Sequence, residues 1–219
     1  MAGAIATEDI DSRDWMRPDE PGDLLEHIAS HLGARGPGAS LTEALDREVW
    51  VDFVADTGDD VSVSRAVADF LFASYTVDDP EAPDKDLVLP RGDILLFGGD
   101  TAYPVATELE IHNRVIVPWN QILRDRLDGK PRVLLGIPGN HDWYDGLAAF
   151  DSLFCSSRDP LNEVQARGTR LGGWQCQQHR SYWAMKLPYN WWIWGTDIQF
   201  SKYLDVSQVS YFEMMANEM

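Results

Sequence analysis

Three short apolar runs in this chain each end in a turn that carries an aspartate. No other feature limits the possible folds as much. Residues 49–55 lead into Asp56-Thr57-Gly58-Asp59-Asp60, and Ile94-Leu95-Leu96-Phe97 leads into Gly98-Gly99-Asp100. Residues 132–137 lead into Pro138-Gly139-Asn140-His141-Asp142. Between the first two runs, apolar positions 67, 68, 70 and 71 predict a helix over 64–74. Between the second and third, a helix is expected over 105–127, broken near Pro118. Strands separated by helices imply parallel pairing with crossovers of one hand. The carboxyl ends of parallel strands share one edge, where such sheets form their ligand crevice. The chain is therefore expected to be α/β, with its Asp-bearing turns on one rim.

The remaining segments are read in the same way. A helix is expected over 23–33, with the stripe Leu24, Leu25, Ile28 and Leu32 and a stop at Gly33. Residues 1–20 read as a loose arm, and 34–40, 76–93 and 156–175 as loops. A short helix is expected over 146–155. Residues 180–187 alternate like a half-exposed strand, and 188–190 form a turn. Trp191-Trp192-Ile193-Trp194 reads as a strand buried on both faces, and a helix is expected from Ser207 onward.

The rim would gather carboxylates, an amide and an imidazole from three separate segments. Oxygen ligands with imidazole suit Mn, Fe or Zn ions. A shared carboxylate can bridge two such ions, an arrangement well matched to phosphoester hydrolysis. An Asp or Asn at a strand end can also be simple turn chemistry, through hydrogen bonds to its own backbone. Three such turns in succession, one of them Gly-Asn-His-Asp, weigh against that explanation for the whole set.

The strings Asp56-x-Gly58, Gly99-Asp100-x-x-Tyr103 and Gly139-Asn140-His141-Asp142 resemble the motifs of the calcineurin-like metallophosphoesterase superfamily, in order and in context. Gly58 in place of the usual histidine, with Tyr103 after the second motif, is similar to the purple acid phosphatase variant. The resemblance spans about residues 49–215. It implies a sandwich of mixed β-sheets flanked by helices. It also implies two domain segments, an N-terminal arm and helix over 1–46 and the phosphoesterase domain over 47–219. Carried over, Asp56 would bind the first metal, Asp100 would bridge the two and Asn140 would bind the second. Tyr103 would be a metal ligand only under the purple-phosphatase analogy. His141 would stabilise the phosphate or protonate the leaving oxygen, and Asp142 would orient His141. The implied cofactors are two metal ions and the implied partner a phosphorylated substrate. The family completes its site with a lone His and then Gly-His-x-His. Neither follows His141 here, and His179 precedes a strand rather than ending one. The chain is therefore expected to stop about one element short. A catalytically incomplete binding module of the same fold is the alternative.

Composition narrows the partners. Lys and Arg number 18 against 36 Asp and Glu, a net charge of −18, which argues against a nucleic-acid groove or docking on anionic lipid. No apolar run reaches the length of a membrane span, and the N-terminus lacks a basic leader, so a cytoplasmic protein is expected. Cys155 and Cys176 read as free thiols. His27 and His31 read as part of a surface face, Asp59 as a site-flanking or helix-start carboxylate, and Trp143 and Tyr144 as either lining the mouth or capping the core.

Overall fold

The computed structural model describes residues 13, 16, 19–20, 22–82, 84–155, 170–198 and 204–217. Helices α1 (Asp23–His31) and α2 (Leu41–Leu45) precede β1 (Val51–Val54) and α3 (Val61–Leu71). The hairpin β2 (Tyr75–Asp78) and β3 (Asp86–Leu89) leads into β4 (Ile94–Phe97). Then come α4 (Glu108–Ile111), a π-helical turn (His112–Ile116), α5 (Val117–Leu123) and β5 (Arg132–Gly136). The order closes with α6 (Asn140–Trp143), α7 (Ala148–Phe154), β6 (Trp174–Cys176), the hairpin β7 (Trp183–Lys186) and β8 (Trp192–Gly195), and α8 (Val206–Asn217).

The expected α/β class holds. Strands β1, β4, β5 and β6 form one sheet in that order, every pair parallel, and the two hairpins form separate antiparallel sheets. The sheet advances one strand at a time in one direction. Crossovers of one hand then place every connecting helix on the same face. Accordingly Ala68, Trp119, Leu123, Phe150 and Phe154 from α3, α5 and α7 share one core with Val54, Leu95, Phe97 and Leu134. The opposite face needs a different cover. Leu24, Ile28 and Leu32 of the N-terminal segment and Trp183 and Met185 of β7 close it over Ile94, Leu96, Val133 and Leu135. Helix α8 packs Tyr211, Phe212 and Met215 against Tyr182 and Ala184, on the outer side of β7.

Several expectations need correction. Helix α3 starts at Val61, because Asp60 Oδ1 accepts from the Ser62 and Val63 amides at 2.7 and 3.1 Å. Asp60, not Asp59, is thus the helix-start carboxylate. The helix through Pro118 does not break. Proline gives no amide proton to residue 114, and the wide π turn just before it absorbs that loss. Residues 76–93 hold a hairpin rather than only a loop. The loop expected over 156–175 lies mostly outside the described residues, but its end forms β6 beside β5. The tryptophan strand is not buried on both faces. Among the described residues, strand β8 pairs with β7 alone, and Trp191 and Trp194 are 71% and 43% exposed. His27 sits edge-on to His179 at 5.2 Å, and His31 Nε2 lies 3.2 Å from the Arg132 carbonyl, so neither ring belongs to a plain surface face. Both cysteines are free, and burial pushes the Cys176 thiol up to about 12.

Candidate functional site

The three Asp-bearing turns follow β1, β4 and β5, which are neighbours in the sheet, so they meet at its carboxyl edge. Glycines let them meet. A Cβ on Gly58 would lie 2.1 Å from the Thr101 carbonyl oxygen, and one on Gly139 would lie 2.2 Å from Asp100 Oδ1. Asp56 and Asp100 both adopt the left-handed region, at φ 58° and 51°. Asp tolerates that region better than most side chains. The shared turn geometry brings both carboxylates to Tyr103. Its hydroxyl donates to Asp56 Oδ1 at 2.7 Å and also lies 3.2 Å from Asp100 Oδ2. Burial, the Asp56 hydrogen bond and the Asp100 charge together raise the Tyr103 pKa, so the phenol keeps its proton.

Asp100 also reaches the third turn, where Oδ1 accepts from the His141 amide at 2.9 Å. Residues 140–143 form a helical turn, α6. The His141 ring packs 4.2 Å from Tyr103 and edge-on to Tyr144 at 4.9 Å. Its Nδ1 lies 2.7 Å from the Pro104 carbonyl. A carbonyl only accepts, so Nδ1 carries the proton and a neutral ring leaves its Nε2 lone pair unprotonated. Asn140 Nδ2 donates to the Tyr144 hydroxyl at 3.1 Å, at the exposed side of the rim.

Asp142 does not orient His141. It is buried, and Oδ2 accepts from the Gly139 amide at 2.8 Å while Oδ1 accepts from the Thr101 amide at 3.2 Å. The start of a helical turn points its free amides at a carboxylate three residues on, and Asp142 is held by that geometry. Pro104 takes the orienting role instead. Burial pushes the Asp142 carboxyl up to about 6. Asp59 contributes its carbonyl to Arg114.

Trp143 and Tyr144 divide the two roles left open for them. Trp143 is buried and donates from Nε1 to Asp197 Oδ1 at 2.8 Å, whereas Tyr144 sits on the rim. Asp197 follows β8 and also accepts from Ser181 Oγ at 2.6 Å. It ties the third turn to the second hairpin, a role that its place in the sequence does not signal. His179 is buried and bonded through Nδ1 to Asp19 Oδ1 at 2.5 Å, away from the rim. His141 is thus the one imidazole among the rim groups described.

Among the described residues, no group of three or more His, Cys, Asp or Glu is placed to hold a metal ion. The converging donors are of other kinds as well: two carboxylates, a phenol and an amide. Two carboxylates already share one proton at Tyr103, and the Thr57 hydroxyl beside Asp56 is buried with no hydrogen-bond partner. An oxygen-rich set of this kind fits a hard or borderline cation. No helix of the described residues is long and apolar enough to cross a membrane. No protein-family model, no curated protein and no solved structure matches this chain.

Proposed function

We propose that this chain carries the metal-dependent phosphoester hydrolase site of a calcineurin-like sandwich. The observation that carries the reading is the sharing of the Tyr103 hydroxyl between Asp56 and Asp100, with His141 packed against the same ring. Asp56, Tyr103 and Asp100 would hold one ion, and Asp100 with Asn140 a second. Bound ions of this class supply Lewis-acid polarisation of a phosphoryl oxygen. His141, fixed by the Pro104 carbonyl, points its ring chemistry through Nε2. As imidazolium, Nε2 would donate to the leaving oxygen, and as the neutral ring it would take a proton back. Asp142 keeps the second and third turns in register beneath these groups.

The test uses the full chain with Mn²⁺, Fe²⁺ or Zn²⁺ supplied singly, and p-nitrophenyl phosphate and its bis ester as substrates. Metal-stimulated hydrolysis is expected, falling at least a hundredfold in Asp100→Asn while the fold persists. Metal uptake without hydrolysis would favour the second reading, a binding module of the same fold. That reading is favoured by the single imidazole among the rim groups described. Wild-type turnover in Asp100→Asn would overturn the assignment of this residue.

A further inference from the structure

The β2–β3 hairpin is a sheet of two strands, and among the described residues no third strand pairs with it. A two-stranded hairpin is marginal in water on its own, and a third strand is one of the things that stabilises it. Its register sorts the side chains, because residues directly opposite each other share a face. Tyr75 lies opposite Leu89 and Val77 opposite Leu87, so one face is wholly apolar. Thr76 lies opposite Val88 and Asp78 opposite Asp86, so the other face is acidic where the hairpin closes. The apolar face is not put away. Tyr75, Val77 and Leu87 are 40%, 39% and 36% exposed.

The closing end carries a strong charge of one sign. Residues 78–86 hold Asp78, Asp79, Glu81, Asp84 and Asp86, against Lys85 as the one cation. Like charges placed directly opposite, as Asp78 and Asp86 are, destabilise a strand pair. A strand that joins a sheet continues both of its faces. Beside β2, every second residue of such a strand would extend the face of Tyr75 and Val77, and the residues between would extend the face of Thr76 and Asp78. The first set gains by being apolar. The second gains by being Lys or Arg, which also offsets the Asp78–Asp86 repulsion. A second copy of this chain would bring the same acidic end and a net charge of −18, so charge selects against self-pairing. Strand β2 is the more open of the two, exposed at all four positions, whereas β3 is half-buried at Leu89.

We propose that the edge of β2 facing away from β3 receives an extended segment of a partner protein in which apolar and basic residues alternate. This surface is independent of the rim and of the function proposed for it. The hairpin follows the far end of α3, whose 11 residues put about 16 Å between it and the first Asp-bearing turn.

The probe is an end-capped octapeptide of alternating Val and Lys, carrying a dye and titrated with the full chain at constant ionic strength. Saturable binding is expected in fluorescence anisotropy, with slowed amide exchange in residues 75–78. Binding is expected to weaken at least tenfold for a peptide with the same residues in separate Val and Lys blocks. It is expected to weaken at least tenfold in Val77→Lys and several-fold in Asp78→Asn, and to be kept in Asp100→Asn. If Val77→Lys does not fold, Asp78→Asn decides alone, since it removes one of two opposed charges at an exposed position. Equal binding of the block peptide would reduce the surface to charge alone and overturn the proposal. No saturable binding, binding unchanged in Asp78→Asn, or exchange slowed only outside the hairpin would do the same. Dimerisation of the free chain that Val77→Lys abolishes would give the edge to a second copy, and would also overturn it.

Discussion

Two buried aspartates support the rim without lying on it. Asp142 receives the Gly139 and Thr101 amides, and Asp197 receives the Trp143 indole and the Ser181 hydroxyl. Each unpaired buried amide costs about 1–3 kcal/mol. Asp142→Ala is therefore expected to lower stability by about 2–6 kcal/mol, from the two amides it strands. Urea unfolding measures this, and a loss within experimental error would show that water replaces the carboxylate without penalty. The partners of Asp142 were not legible in the sequence. The string Gly-Asn-His-Asp shows that a carboxylate follows the imidazole. It does not show that α6 winds the two side chains apart, or that the carbonyl of Pro104 arrives from another turn to take Nδ1. Asp56, Asp100, Tyr103 and His141 could be read together because strand ends in a parallel sheet have to converge. That constraint acts on the backbone before any side chain is placed.

At the scale of elements, the rim depends on how closely three turns can stack. Gly58 has no space for a methyl group, because backbone of Thr101 and Ala102 lies within 2.1 and 2.6 Å of where it would go. Gly36 has nothing within 4 Å. Gly58→Ala is expected to destabilise by about 1–3 kcal/mol, as overpacking does. Gly36→Ala is expected to be neutral or to stabilise by up to about 1 kcal/mol, through the unfolded chain. Thermal unfolding of the pair checks this, and equal shifts would mean that the turns are not in contact. The strands that bear the rim were legible because they are apolar and end abruptly. The β2–β3 hairpin was not, since β2 is exposed along its whole length and has no buried side. Strand β6 has only three residues, too few for a period to show. The Trp-rich strand misled for the opposite reason, because its apolar content exceeds its burial. Strand β8 lies outermost, and Trp194 answers by stacking on Phe212 at 4.8 Å.

For the whole molecule, the buried carboxyls set how stability follows pH. Burial pushes Asp197 up to about 6, against the pull of Ser181, Trp143 and Arg13. A folded pKa above the unfolded one means that the native state holds the proton more tightly. The resulting stability is complete below the unfolded value of 3.8 and is lost as pH rises through about 6. The amount is about 3 kcal/mol, from 1.36 kcal/mol per pKa unit. Asp197→Asn keeps an acceptor for Trp143 and removes the titration. Its stability relative to the parent is expected to rise between about pH 4 and 7. Urea midpoints across that range measure the difference, and a constant offset would show that Asp197 keeps its charge throughout.

The N-terminal cover of the sheet also has a consequence in time. Asp19 meets His179 across 160 residues of chain, and α1 closes over strands made long after it. At about 5–20 residues per second, the arm waits roughly 10–30 s on the ribosome before its partners exist. During synthesis the helices on the other face can settle strand by strand. The apolar stripe of α1 has to stay in water, or in the keeping of a chaperone, until the second hairpin emerges.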